Sequence, residues 1–204
     1  MRDEQYKKAT NEDLVNRIGH GDKRAFEALL HRHQSAILNF IFRFTGSRAD
    51  AEDLTQEVFL SVWRAAKTYR PDAKFTTWLY RIARNRCINK QRANRIRKLF
   101  VRSRLQEAQA NPGNPFFGGK GVDRLTPEDR LIYLEQTGQL LNAINALPTS
   151  QRIAIILKIC DEMSYQEIAH IMDRSVSAVD SLLIRAKKNL HKNLMNASKL
   201  IIKK

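Results

Sequence analysis

Apolar residues recur at three- and four-residue intervals almost throughout the chain, and no run alternates with period two for long enough to predict a strand. Thr10, with Asp13 three residues on, predicts a helix N-cap. The stripe that follows reads Leu14 and Ile18 and, after the Gly19–Gly21 interruption, Phe26, Leu29 and Leu30. A second helix is expected from about Gln34 to Thr45, apolar at Ile37, Leu38, Ile41, Phe42 and Phe44 and ended by Gly46. Asp50 is the expected cap of a third, with Leu54, Val58 and Val62 on its core face, Phe59 and Trp63 alongside, and a stop before Pro71. From Phe75 to Arg104 the residues Leu79, Ile82, Ala83, Cys87 and Ile88 form one helical face, and Arg81, Arg84, Asn85, Arg92 and Arg95 the opposite one.

The pattern breaks near Ala108. The stretch from Ala110 to Asp129 holds four of the eight glycines and three of the five prolines, which predicts a flexible linker rather than a helix interior. Phe116 and Phe117 are unusual in a plain spacer and suggest that it docks on something. Thr126, Pro127 and Asp129 then mark a helix start, and apolar spacing continues to Ala146 until Pro148 intervenes. A helix from Ser150 to about Asp161 carries Ile153, Ile156, Leu157 and Cys160. Beyond it, Tyr165–Met172 reads as a short helix, Asp173–Ser175 as a tight turn and Val176 onward as a longer helix. In that last helix Val176, Val179, Leu183, Ala186 and Leu190 form the expected buried stripe; Ser177, Ser181, Ile184, Arg185 and Lys188 face outward. A small Ala169, a three-residue turn and a basic C-terminal end favour a DNA-binding helix-turn-helix over an ordinary helical hairpin. The expected fold is all-α: two small helical domains joined by a flexible linker, the C-terminal one containing the helix-turn-helix.

Charge adds a partner to this outline. The net charge is +15 and the sequence pI about 10.2, which favours a polyanion. Between Tyr80 and Gln106 lie ten Lys or Arg residues and no Asp or Glu, preceded by the aromatics Tyr69, Phe75, Trp78 and Tyr80. Cations that neutralise phosphates beside flat rings that stack on bases suit nucleic acid, above all strands that are coming apart. No apolar run is long enough to span a bilayer, and the N-terminus has no apolar stretch after its charges, so neither stable membrane insertion nor a secretory signal is expected. Cys87 and Cys160 sit alone in apolar helical patterns, as small buried hydrophobes of a reducing cytoplasm. There is no Walker A loop, no G-x-G-x-x-G, no H-E-x-x-H and no histidine paired with an acid or nucleophile. No catalytic residues, metal site or cofactor are therefore expected, and the chain reads as a non-enzyme.

Four motifs, in order, extend this reading: GSRADAEDLTQEVFLSVWRA, FTTWLYRIARNRCINKQR, LP-x-x-QR at Leu147–Arg152, and SYQEIAHIM followed by SAVDSLLIRAKKNL. The chain that carries them resembles an extracytoplasmic-function (ECF) sigma factor of the sigma-70 family, over about residues 10 to 195. The resemblance implies a region-2 domain over 8–100, an interdomain linker over 101–126 and a region-4 domain over 127–197. It implies a factor that binds core RNA polymerase at the clamp of the largest subunit and at the flap, recognises the −35 and −10 promoter elements, and promotes DNA opening. An anti-sigma factor is the implied regulator.

By residue, the resemblance assigns Asp53, Leu54, Gln56 and Glu57 to polymerase binding, while helix stability alone stays open for Asp50 and Glu52. It assigns Tyr69, Lys74, Arg84, Asn85, Asn89 and Arg92 to the −10 DNA, with a base flipped into a pocket by the loop before Phe75. Phe75 and Trp78 are either core or stacking residues. For the −35 DNA it assigns Ser177, Asp180, Ser181, Ile184, Arg185 and Lys188, Arg185 being best suited to a bidentate contact with guanine. Where many family members carry cations, this chain has Asp180 and Leu182. Fewer phosphate contacts follow, and the exact −35 sequence stays open. Phe116 and Phe117 would dock inside the polymerase.

Overall fold

The computed structural model describes residues 2–70, 73–101, 126 and 137–201, and among them there is no strand. The helices are α1 (Arg2–Lys8), α2 (Asn11–Gly19), α3 (Lys23–Thr45), α4 (Arg48–Ala65), α5 (Phe75–Val101), α6 (residues 137–145), α7 (Thr149–Ile155), α8 (Tyr165–Met172) and α9 (Val176–Ile201). A 3-10 turn, Ala66–Thr68, follows α4, and a wider π turn, Ile156–Cys160, extends α7. The predicted linker, with Phe116 and Phe117, and the predicted helix start at Pro127–Asp129 lie outside the described residues.

Three local expectations are corrected. The chain from Lys23 to Thr45 is one helix, without the break expected between Leu30 and Gln34. Asp22 starts it by accepting from the Arg24 and Ala25 amides at 2.9 and 3.1 Å, and Ala25, Leu29, Ile37 and Phe40 keep one stripe buried across the supposed gap. The cap of α4 is Ser47, whose hydroxyl accepts from the Asp50 amide at 3.3 Å; Asp50 is thereby released to pair with Lys90 of α5 at 2.8 Å. The first residue of α9, Val176, is 45% exposed, because the turn before it leaves it off the packed face; Leu182, at 8%, is buried instead.

Within the N-terminal half, α3 packs on α2 and α4, and α4 on α5. Leu14, Leu29, Ile37, Phe40, Phe44, Phe75 and Leu79 are fully buried there. In the C-terminal half α9 packs on α7 and α8 over Ile153, Ile156, Leu157, Val179 and Leu183. Each such side chain contributes about 1.5–3 kcal/mol on leaving water. The halves also meet: α5 lies on α8, α3 on the π turn, and the two cores join into one cluster.

Gly46 lies at one of their contacts. It ends α3 at φ +70° with its amide on the Phe42 carbonyl at 2.8 Å. A Cβ there would sit 2.6 Å from Asn145 Nδ2 at the end of α6. Gly46→Ala is expected to destabilise the protein by about 1–2 kcal/mol in denaturant melts, from left-handed strain and from the clash. Adding Asn145→Ala should recover only the clash.

Candidate polymerase and nucleic-acid interfaces

The N-terminal end of α4 is fixed by its cap and by the Asp50–Lys90 pair, which sets it against α5. Asp53, Gln56 and Glu57 are exposed on its outer face, with Leu60 51% exposed beside them. Glu57 faces Arg86 of α5 at 3.6 Å, and Arg86 donates to the Ser61 hydroxyl at 2.7 Å. Glu52 is tied to Arg48 within the helix. Leu54, expected among the contact residues, is only 4% exposed and belongs to the core; it supports the face from beneath.

At the start of α5 three rings form a wall. Tyr69 lies 4.9 Å from Trp78 and 6.3 Å from Phe75, ring centre to ring centre. Phe75 is wholly buried, which answers the question left open for it; Trp78 is half-buried and lies at the rim. Asn85 and Asn89, exposed one turn apart, line a cavity of about 380 Å³ with Ser61, Trp78, Ile82 and Arg86. The structure thus brings Tyr69, through Trp78, together with Asn85 and Asn89. Arg84 joins them, donating from Nη1 to Asn85 Oδ1 at 3.2 Å; Lys74 does not. Lys74 pairs with Glu167 of α8 at 3.1 Å. Arg84, expected to face outward, is half-buried against the turn at Asp173 and Arg174; burial and then the Arg174 charge lower its pKa. Arg92 is exposed farther along the helix.

Apart from the exchange of Val176 and Leu182, the helix-turn-helix is built as the spacing predicted. Ser164 and Glu167 form a capping box at the start of α8, and Asp173 ends it at φ 54°, ψ 57°. Ser175 opens α9 by accepting from the Ala178 amide at 3.2 Å. Val179, Leu183 and Ala186 anchor α9, leaving Ser177, Asp180, Ser181, Ile184, Arg185 and Lys188 exposed on its far side. Arg185 Nε donates to its own helix at the Ser181 carbonyl, 3.1 Å away.

The joint between the halves was not foreseen. Arg152, the last residue of the LP-x-x-QR motif, donates to the Phe44 carbonyl at 3.0 Å and to the carbonyls of Leu147 and Asn145, and its guanidinium lies over the Phe44 ring. Thr149 donates to Gln91 at 2.6 Å. Arg43 of α3 meets Asp161 of the π turn at 3.4 Å, both largely buried, and Tyr80 of α5 turns its hydroxyl to the same carboxylate. Burial pushes Asp161 up to about 6, against the pull of Arg43 and Tyr80. Glu167 is held down to about 2, by its bonds with Ser164 and then with Lys74. Nothing local in the sequence marks this joint: Arg152 precedes the apolar run Ile153–Leu157 and Asp161 lies beyond it, with no partner visible near either.

Comparison with known proteins follows the same division. Residues 29–97 match Sigma-70 region 2, and residues 137–190 match Sigma-70, region 4. The RNA polymerase sigma-H factor of Pseudomonas aeruginosa is 34% identical over 188 residues, covering 90% of this chain and 93% of that protein. The ECF RNA polymerase sigma-E factor of Escherichia coli K12 is 34% identical over 179 residues, covering 87% and 91%. Among solved structures, CnrH in complex with the cytosolic domain of CnrY superimposes with a TM-score of 0.64 at 25% identity, over 93% of this chain and 99% of that one. The sigma factor RpoE of Bartonella quintana, in complex with the anti-sigma factor NepR, shares the fold with a TM-score of 0.64 at 21% identity, over 83% and 96%.

The raised Asp161 carboxyl predicts a pH dependence of the joint, with a definite sign. Asp161 holds its proton more tightly in the closed form than when exposed, near 3.8, so closure takes up a proton. Closure should strengthen as pH falls from 7 to 5. The Glu167 contribution is constant in that window, because it is lost only as pH falls from 4.5 toward 2. His33, held down to about 4 by burial in the N-terminal core, weakens that domain below its ordinary 6.5 but does not touch the joint. A fluorescence distance across the joint should report more closed protein at pH 5 than at pH 7, and Asp161→Asn should erase the difference.

Proposed function

From the premise that the chain belongs to the ECF sigma factors of the sigma-70 family, a promoter-specificity subunit of RNA polymerase with no catalysis of its own, we propose how its surfaces divide that work. Residues 8–100 act as the region-2 domain, 101–126 as the linker and 127–197 as the region-4 domain. The outer face of α4, through Asp53, Gln56 and Glu57 with Leu60 at its edge, docks on core polymerase; Leu54 only backs it. Tyr69, Asn85 and Asn89 read the −10 element, and the cavity between α4 and α5 is where an unpaired base edge meets the two amides. Extruding a base costs a few kcal/mol, which ring stacking and edge hydrogen bonds offset. Arg92 supports them on the backbone. Ser177, Asp180, Ser181, Ile184, Arg185 and Lys188 enter the major groove at −35.

The observation that carries this reading is that α9 exposes its reading residues while its back is packed, one half-chain away from the amide-lined cavity of α5. The closed joint then becomes a constraint. By their names the two promoter elements lie about 25 base pairs apart, about 85 Å of duplex at 3.4 Å per step. Helix α5 touches α8 in the closed form, so we infer that the joint opens when both elements are engaged, freeing Lys74 and Arg84 for DNA. The protein works in the cytoplasm, where its polymerase is. An anti-sigma factor is its proposed regulator, since the solved relatives CnrH and RpoE were each captured with such a partner or with CnrY.

The test is reconstitution with core RNA polymerase and a genomic promoter pool. Promoter-dependent transcripts are expected; their absence with active core contradicts the reading. In the same assay Gln56→Ala with Glu57→Ala should weaken core binding, and unchanged affinity would remove the docking assignment. Arg185→Ala should cost about 1–3 kcal/mol at one −35 position. A uniform loss across sequences would make Arg185 a phosphate contact instead.

A further inference from the structure

Among the described residues, no side chain of the preceding loop caps helix α5. The residues before Phe75 are Ala73 and Lys74, neither of which offers a side-chain acceptor, and its first turn has no acid. The first amides of a helix need partners from elsewhere. One comes from 63 residues upstream: the Phe75 amide donates to Glu12 Oε1 of α2 at 3.1 Å. The carboxylate also supplies negative charge where the helix dipole favours it, at the head of a helix otherwise rich in cations.

The other end of the same loop rests on α2 as well. A Cβ on Gly19 would lie 3.2 Å from the Lys67 Cα and 3.3 Å from the Ala66 carbonyl oxygen, so the 3-10 turn is seated directly on the last turn of α2. Between these two supports lies a cavity of about 580 Å³, walled by Glu12, Asp13, Asn16 and His20 on one side and by Lys67 and Tyr69 on the other. Helix α2 is itself well fixed: Leu14, Val15 and Ile18 are buried, and Thr10 caps it at 3.1 Å. It lies wholly before residue 29, where the region-2 match begins.

We propose that α2 is the positioning element of the −10 reader, with Glu12 holding the start of α5 and Gly19 seating the turn after α4, so that Tyr69 and the rim of Trp78 stand at a fixed height above the DNA. The proposal rests on the reading of Tyr69, Asn85 and Asn89 as −10 contacts. Glu12 is a positioning residue and touches no base. Without it the loop samples other heights, and discrimination at −10 falls while binding at −35 does not.

The experiment uses the full chain with core RNA polymerase and scores open complexes on a matched promoter, on one with a substituted −10 element and on one with a substituted −35 element. Glu12→Ala should reduce the matched-to-substituted ratio at −10 by about 2- to 30-fold, the range for loss of a helix cap, and leave the −35 ratio and core affinity as in the wild type. Glu12→Gln, whose amide oxygen still accepts the Phe75 bond, should keep part of the ratio and serves if the alanine variant does not fold. An unchanged −10 ratio, or an equal fall in both ratios, overturns the proposal. Asn85→Ala run alongside locates the failure: if it alone lowers the −10 ratio, α2 has no positioning role, and if neither variant does, the −10 reading beneath the proposal is wrong.

Discussion

One guanidinium decides how the two halves of this protein sit together. Arg152 ends the LP-x-x-QR motif, and from there it reaches the last carbonyl-bearing turn of α3, its own preceding loop and the face of Phe44. Around it the joint is polar: Arg43 with Asp161, Thr149 with Gln91, Lys74 with Glu167. Buried charge pairs lose in desolvation much of what they gain in attraction, and Arg152 Nε is buried without a hydrogen bond. The polar groups of the joint specify one arrangement and can each return to water on opening, while the apolar contacts that join the two cores into one cluster oppose it. The apolar interiors of the halves have no such option. The chain therefore has two durable cores and one reversible seam.

That division explains why α5 serves two ends. Its inner face, Phe75, Leu79, Ala83 and Cys87, is wholly buried and holds the N-terminal half together. Its outer face carries Asn85 and Asn89 over an open cavity, and its flank toward α8 is cationic. The proposed reading residues gain precision from the packing behind them, since a side chain on a helix so fixed loses little further freedom on binding. The same holds for α9, where Val179, Leu183 and Ala186 set the height of Arg185 and Ser181. In both proposed readers the specificity of the outer face is inherited from an apolar inner one.

Most of this was legible in the sequence where the information is local. The turn of the helix-turn-helix at Asp173, the exposed row from Ser177 to Lys188 and the packed stripe of α5 all follow from periodicity and caps. What escaped was set by contacts distant in sequence. Phe75, left open between core and stacking, could be placed in the core only by its neighbours on other helices; Leu54, already on the core face by periodicity, is too buried for the contact role the resemblance gave it. Arg84 looked like an outward cation until the turn at Arg174 was found against it. Asp161 and Glu12 carry no local signal at all, because each finds its partner in another part of the chain, Arg43 in one case and the Phe75 amide in the other. The α3 break was misplaced for the opposite reason: His31, Arg32 and Gln34 are exposed on a helix that runs on beneath them, while His33 turns inward against Phe75.

The central claim is that both readers work together only after the seam has parted, and a distance measurement addresses it most directly. Dyes on Lys23→Cys and Lys192→Cys, with Cys160→Ser and with Cys87 left buried and its thiol pushed up to about 12, report across the seam. In the free protein the distance should match the closed form. In the complex with core polymerase and promoter DNA it should lengthen by tens of ångströms, toward the roughly 85 Å that separates the promoter elements. A transcribing complex in which the distance stays at its free value would contradict the account.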